Sequence, residues 1–168
     1  MERNVYARQL VGELLDDVVG AFQHDTAAVL GPLIGTAEQG DDPVTVLRAT
    51  VDGTEFHREV RVHTRPVEQV DAHAYRMPLV WHESHGERLY PVMHGAFEMA
   101  ALSNNPPLTE VTFMGHYRPP LGLLGTMGDT LIGGRIADQV AESLLEDVVG
   151  RLHELLAARH EAEADATG

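Results

Sequence analysis

The spacing of apolar residues changes period several times along the chain. Residues 5–11, VYARQLV, alternate and predict a short strand. In GELLDDVVGAF, which follows, Leu14, Leu15, Val18, Val19 and Phe22 recur at three and four and predict an amphipathic helix. DTAAVLGPLIG predicts a second short helix, capped by Asp25 or Thr26 and broken near Gly31 and Pro32. Beyond the polar loop TAEQGDDP the period returns to two. VTVLRATV and TEFHREVRVHT flank Asp52-Gly53, a dipeptide suited to a tight hairpin turn. AYRMPLVWHES and YPVMHGAFEMAAL flank HGER, and LTEVTFMGHYR follows SNNPP. These runs predict a meander of five strands, with a sixth candidate in TAEQGDDPV or in RPVEQVDAH. From Gly122 the helical period resumes and predicts a terminal helix over residues 121–157.

The strand phases check one another. Met77, Leu79 and Trp81 share one face of their strand; Met93, Gly95, Phe97 and Met99 share one; Val111, Phe113, Gly115 and Tyr117 share one. A turn centred near Asn105 sets Phe97 opposite Phe113 and Gly95 opposite Gly115. A turn centred near Glu87 sets Trp81 opposite Met93. All three apolar sets then fall on one side, as a sheet with one buried face requires. Leu47, Ala49 and Val51 match Phe56, Val60 and Val62 in the same way. The order of elements predicts an α+β fold in which a curved antiparallel sheet wraps around the long C-terminal helix. Residues 1–160 read as one domain, and the polar residues 161–168 as a tail that frays.

Two stretches, MPLVWHESHGERLYPVMHGAFEM and GHYRPPLGLLGTMGDTLIGGRIADQVAESLL, resemble actinobacterial members of the SRPBCC superfamily, the START-like, polyketide-cyclase-like helix-grip group. In element order the resemblance covers nearly the whole chain. Its most specific part is the junction Gly-x-Tyr-Arg-Pro-Pro-Leu-Gly-x-x-Gly that begins at Gly115. The family usually carries six strands after the helix pair, one more than the five read here. The resemblance implies a hydrophobic ligand cavity between sheet and long helix. It does not imply one function, since members include lipid carriers, hormone receptors and cyclases.

The terminal helix is uneven. Gly122, Gly125, Gly128, Gly133 and Gly134 crowd its first half, and a helical Gly costs about 1 kcal/mol relative to Ala. Its apolar stripe runs through Ile136, Val140, Ala141, Leu144, Leu145, Val148 and Leu152. Continued backwards, that stripe holds Thr126, Thr130, Gly133, Gly134 and Ala137, all small. Small inward residues suit either close backbone packing or open space for a ligand, and the resemblance favours the space. The expected walls are Phe56, Val60, Met77, Leu79, Trp81, Met93, Phe97, Met99, Val111, Phe113 and Tyr117. Trp81 and Tyr117 carry polar atoms that need partners when buried. Tyr75 and Arg58 fall in the inward phase, and Arg58 suits a carboxylate of the protein or of a ligand.

Charge and residue usage narrow the function. There are 26 acids against 12 basic residues, a net charge of −14, which excludes a phosphate-reading nucleic-acid surface and a polybasic membrane contact. With no cysteine, disulfides, thiol nucleophiles and thiolate metal sites are excluded. No apolar run reaches membrane-spanning length, and MERNVYARQL lacks the apolar core of a secretory signal, so a cytoplasmic location is expected. The same strand pairing puts His94 opposite His116 on the outer face, with His82 diagonal to both. An open sheet face supplies no groups to orient such ligands, so a solvated histidine patch without a metal is expected. Ser84, Ser103 and Ser143 are the only serines and none sits in a nucleophile elbow, while GTMGDTLIGG lacks a phosphate-loop lysine. No cofactor is expected. Asp129 reads as a capping or surface acid. The expected function is binding of a hydrophobic small molecule or lipid. The alternative is a cyclase or aromatase acting on a polyketide-like substrate, with Tyr117, Tyr75, Arg58 or Asp129 in acid–base roles. A structural role with a vestigial cavity is the third reading, and a homodimer is compatible with all three.

Overall fold

The computed structural model describes residues 2–31, 44–51, 53–83, 92–118 and 129–168; the side chains of Val44, Val51, Phe56, Arg58, Glu83 and residues 129–133 lie outside that description. Strand β1 (Arg3–Val11) leads into helices α1 (Leu15–His24) and α2 (Thr26–Leu30). Strands β2 (Val44–Val51), β3 (Thr54–Thr64), β4 (Glu68–Asp71), β5 (Ala74–Glu83), β6 (Met93–Asn104) and β7 (Pro107–Tyr117) follow, and helix α3 (Asp129–Ala166) ends the chain. All strand pairings are antiparallel, in the order β1-β7-β6-β5-β3-β2, with β4 beside β5. This is the expected helix-grip: a curved sheet closed around a long helix.

The expected registers hold. Phe97 faces Phe113, Gly95 faces Gly115 and Trp81 faces Met93. Val51 pairs with Thr54 across a two-residue connection. Gly53 sits there at φ 80°, a backbone region that favours glycine. Strand β4 is the sixth strand, and it lies in RPVEQVDAH. It runs along the same edge of β5 as β3, since β5 pairs with β3 at Leu79–Glu83 and with β4 at Ala74–Arg76. Pro66, which has no N–H to give a ladder, stands in the break between them. Arg65 N still donates to Pro78 O at 2.8 Å, so pairing with β5 continues up to the residue before the proline.

The inner face carries the core. Phe97, Met99, Val111 and Phe113 are wholly buried, and Met77, Leu79, Trp81, Met93 and Tyr117 nearly so. Helix α1 seals one end: Leu15, Val18, Val19, Ala21 and Phe22 are buried, with the Phe22 ring 5.5 Å from Phe97. Leu14 does not join that stripe. It is the residue before the first helical turn, extended in backbone and exposed. The second helix starts after Asp25, whose side chain makes no cap hydrogen bond; Thr26 Oγ1 instead donates back to Phe22 O at 2.7 Å.

Helix α3 bridges both edge strands. On the β2 side, the edge N–H of Thr50 donates to Gln139 Oε1 at 3.0 Å, and Arg48 reaches Asp147 at 3.3 Å. A side-chain acceptor thus satisfies a donor that an edge strand would otherwise present to solvent. Ala141, Leu144, Leu145, Val148, Val149, Leu152 and Leu156 are buried beneath the helix. The helix does not stop at residue 157. It continues through the polar residues to Ala166, exposed on all sides. Ala and Glu are strong helix formers, and propagating an existing helix needs no apolar face. Arg159 pairs with Asp25 and helps hold the extension. The start expected near residue 121 falls outside the described residues. No described helix is long and apolar enough to cross a membrane.

Candidate functional site

Rows of inward residues run across the sheet. One row, at the end where β1 and β6 begin and β7 ends, is Arg3, Tyr117, Met93, Trp81 and Val62. The next holds Val5, Gly115, Gly95 and Leu79, and the third Ala7, Phe113, Phe97 and Met77. The glycines of the second row are covered from the third. A Cβ on Gly95 would meet the Phe113 ring at 2.9 Å and Met114 O at 2.8 Å. A Cβ on Gly115 would meet Met93 Sδ at 2.8 Å. The Phe113 ring lies over both glycines and stacks on Trp81, with centroids 5.3 Å apart and planes 16° apart. It also meets Phe97 at 5.2 Å. Glycine on a strand here makes room for an aromatic ring laid flat on the backbone.

The first row is where polar chemistry enters the apolar face. Tyr117 is 7% exposed. Burial pushes its phenol above the ordinary tyrosine range; the Arg3 guanidinium opposes that shift and the Asp138 carboxylate adds to it. Arg3 faces Tyr117 directly in the ladder and is half-buried. Its Nη1 lies 2.9 Å from where a Cβ on Gly134 would stand, so that glycine makes room for the guanidinium. Among residues whose side chains are described, Arg3 is the only charged one in the inward phase of the sheet.

The helix face over this row differs from the rest of α3. Ala137, Val140 and Ile136 are only half-buried, whereas Ala141, Leu144, Leu145 and Val148 are fully buried one to three turns later. Of the small residues expected on the stripe, Gly134 and Ala137 are described and both face the sheet side at this end. Thr126 lies outside the described residues, as do the side chains of Thr130 and Gly133. The same holds for the Phe56, Arg58 and Asp129 side chains. Tyr75 is not near Tyr117. It is half-buried beside Met99, six residues along the strands from the Tyr117 row, about 20 Å at strand rise. Tyr75 and Tyr117 therefore do not share one site. Sequence reasoning missed Arg3, although its alternation with Val5 and Ala7 was a readable signal.

The outer face carries the histidines. His94 stacks on His116 as expected, centroids 5.5 Å apart. His82 lies diagonal to His94 and stacks on His63, at 4.9 Å. Arg61 is its ladder partner, and β3 brings His63 alongside. An open depression of ≈ 780 Å³ crosses this face between Tyr6 and Arg65, with His63, His94, His116 and Arg76 in its lining and no carboxylate. It is wide open to solvent, unlike the inner face. Histidine and acid donors converge elsewhere: Glu13, Asp17 and His160 place three donor atoms within 4.8 Å of one another. Within that group His160 Nε2 lies 3.9 Å from Glu13 Oε2. An exposed pair of that kind contributes about 0–1 kcal/mol.

No family model matches the chain, and no curated protein matches it. Solved structures do. A conserved protein of Geobacillus kaustophilus superposes with a TM-score of 0.51 at 11% identity, covering 93% of this chain and 96% of its own. A protein of Thermus thermophilus gives 0.48 at 16%, covering 93% and 99%. Norcoclaurine synthase from Thalictrum flavum gives 0.45 at 12%, covering 94% and 87%. At these identities the likeness is one of fold, shared end to end, and it assigns no activity.

Proposed function

We propose that this chain is a START-like member of the SRPBCC superfamily, a cytoplasmic protein that binds a hydrophobic small molecule or lipid between the sheet and the N-terminal half of α3. The observation that carries the reading is the asymmetry of the helix. Large aliphatics seal its inner face from Ala141 onward; before it Ile136 and Val140 are only half-buried, and the small Gly134 and Ala137 stand nearest Tyr117 and Arg3. A helix that only had to pack would keep large side chains at both ends and gain helix propensity as well. Small residues are what a ligand roofed by the helix requires. Trp81, Met93 and Tyr117, each slightly exposed where Phe97, Met99 and Phe113 are fully covered by protein, are the apolar residues that such a ligand would touch first.

Mass spectrometry of organic extracts from the purified chain tests this. The expected result is an apolar compound or lipid in stoichiometric amount, retained through gel filtration and lost on denaturation. Extracts that match the solvent blank, together with failure to take up any apolar molecule offered in excess, contradict it.

A further inference from the structure

Resting on that reading, we infer that Arg3 selects the charge of the ligand: the site takes an amphipathic anion, an apolar body bearing a carboxylate, sulfonate or phosphate that meets the Arg3 guanidinium at the opening. Four observations converge. Arg3 is the only charged side chain among those described in the inward phase of an otherwise apolar face. It is half-buried at the end where the helix stripe turns small. Gly134 leaves its guanidinium space at a position where any Cβ would stand 2.9 Å away. Its ladder partner, Tyr117, adds a second hydrogen-bonding group to the same row, with the apolar surface of Met93 and Trp81 beyond it.

The chemistry follows from the geometry. A half-buried guanidinium beside apolar walls lies where screening is weaker than at the surface, so an anion gains more there than on open protein. Arginine offers a planar fork of donors matched to a two- or three-oxygen anion. The apolar body of the ligand supplies the rest of the affinity along the sheet. This division also suits a chain of net charge −14, which repels anions at long range and so needs a local, directed cation to accept one. Whatever intramolecular partner Arg3 has in the free chain, the ligand's anion competes with it.

Two fluorescent dyes that differ by one sulfonate separate this inference from the reading beneath it. N-phenyl-1-naphthylamine is neutral; 8-anilino-1-naphthalenesulfonate is the same ring system with an anion. The full chain is expected to bind both, the sulfonate more tightly. Arg3→Ala is expected to weaken the sulfonate about tenfold, the loss of one charge-assisted contact, and to leave the neutral dye within about twofold. Gly134→Ala is expected to do the same with no change in net charge, by displacing the guanidinium. Arg118→Ala removes an equal charge from the exposed Arg118–Glu2 pair at the same end of the sheet and is expected to leave the ratio of the two affinities unchanged. Neutral-dye binding by each variant certifies its fold. The inference is overturned if Arg3→Ala weakens the sulfonate no more than Arg118→Ala. It is also overturned if Arg65→Ala or Arg76→Ala alone abolishes the preference, for the anion then sits on the outer face. If the neutral dye binds with no preference for the sulfonate, the cavity stands and the role of Arg3 falls. If neither dye binds, both fall.

Discussion

At the scale of single residues, period-two alternation was enough to fix partners. The register Phe97–Phe113, Gly95–Gly115 and Trp81–Met93 follows from which residues share a face and where the turn is centred, because a slip of one would turn the apolar set to solvent. What covers the glycines was not legible. Period says that Gly95 and Gly115 point inward; only the fold shows the Phe113 ring and Met93 Sδ lying on them. Neutral-pH chemistry gives Tyr117 no charge, so its buried phenol becomes visible only in alkali. Its folded pKa lies above the unfolded value. The stabilisation this implies is complete below about pH 10, the ordinary tyrosine value, and is lost as pH rises through the folded value. The chain has no lysine and no cysteine to overlap this window. Tyr117→Phe is accordingly expected to flatten the fall of melting temperature between pH 9 and 11. An equal fall in the variant and the parent would show that the phenol ionises in the fold without penalty.

At the scale of elements, helices and long strands were legible and short or exposed ones only in part. Strand β4 was legible only as one of two candidate places, because all four of its residues are exposed and none alternates. Its existence depends on Pro66 interrupting an edge that β5 keeps pairing. The C-terminal extension of α3 escapes for the opposite reason: an exposed Ala/Glu run carries helix propensity but no amphipathic stripe to read. The diagonal place of His82 beside His94 was legible; its stacking on His63 was not, because strand adjacency, β3 beside β5, is not fixed by a hairpin turn of its own. The asymmetry of α3 was legible, and it makes a paired prediction. Leu145 is fully buried, so Leu145→Ala is expected to cost about 2–5 kcal/mol. Ala137→Leu adds three carbons on the same helix where the face is half-buried and is expected to change stability by no more than about 0.5 kcal/mol, or to raise it. Thermal or denaturant melts of the two variants read this out. If Ala137→Leu instead loses about 1–3 kcal/mol, the cost of overpacking, the small residues serve close helix–sheet contact.

At the scale of the whole molecule, the layered architecture was legible from element order alone, and an end-to-end likeness at 11% identity accords with it. The site was legible only in part. Its apolar walls follow from strand phase, but its one described inward charge lies in β1, outside the meander on which the sequence reading concentrated. The two sides of the sheet differ in kind: an outer depression that is histidine- and arginine-lined, and an inner face that is apolar and largely buried among the described residues. The central claim, that this end of the helix roofs a ligand, is tested most directly by titrating the chain and its Ala137→Leu variant with N-phenyl-1-naphthylamine. The account predicts saturable binding of one dye per chain by the parent, and binding weakened by about tenfold or more in a variant that melts no lower. Equal binding by parent and variant, or no saturable binding by the parent, would contradict it.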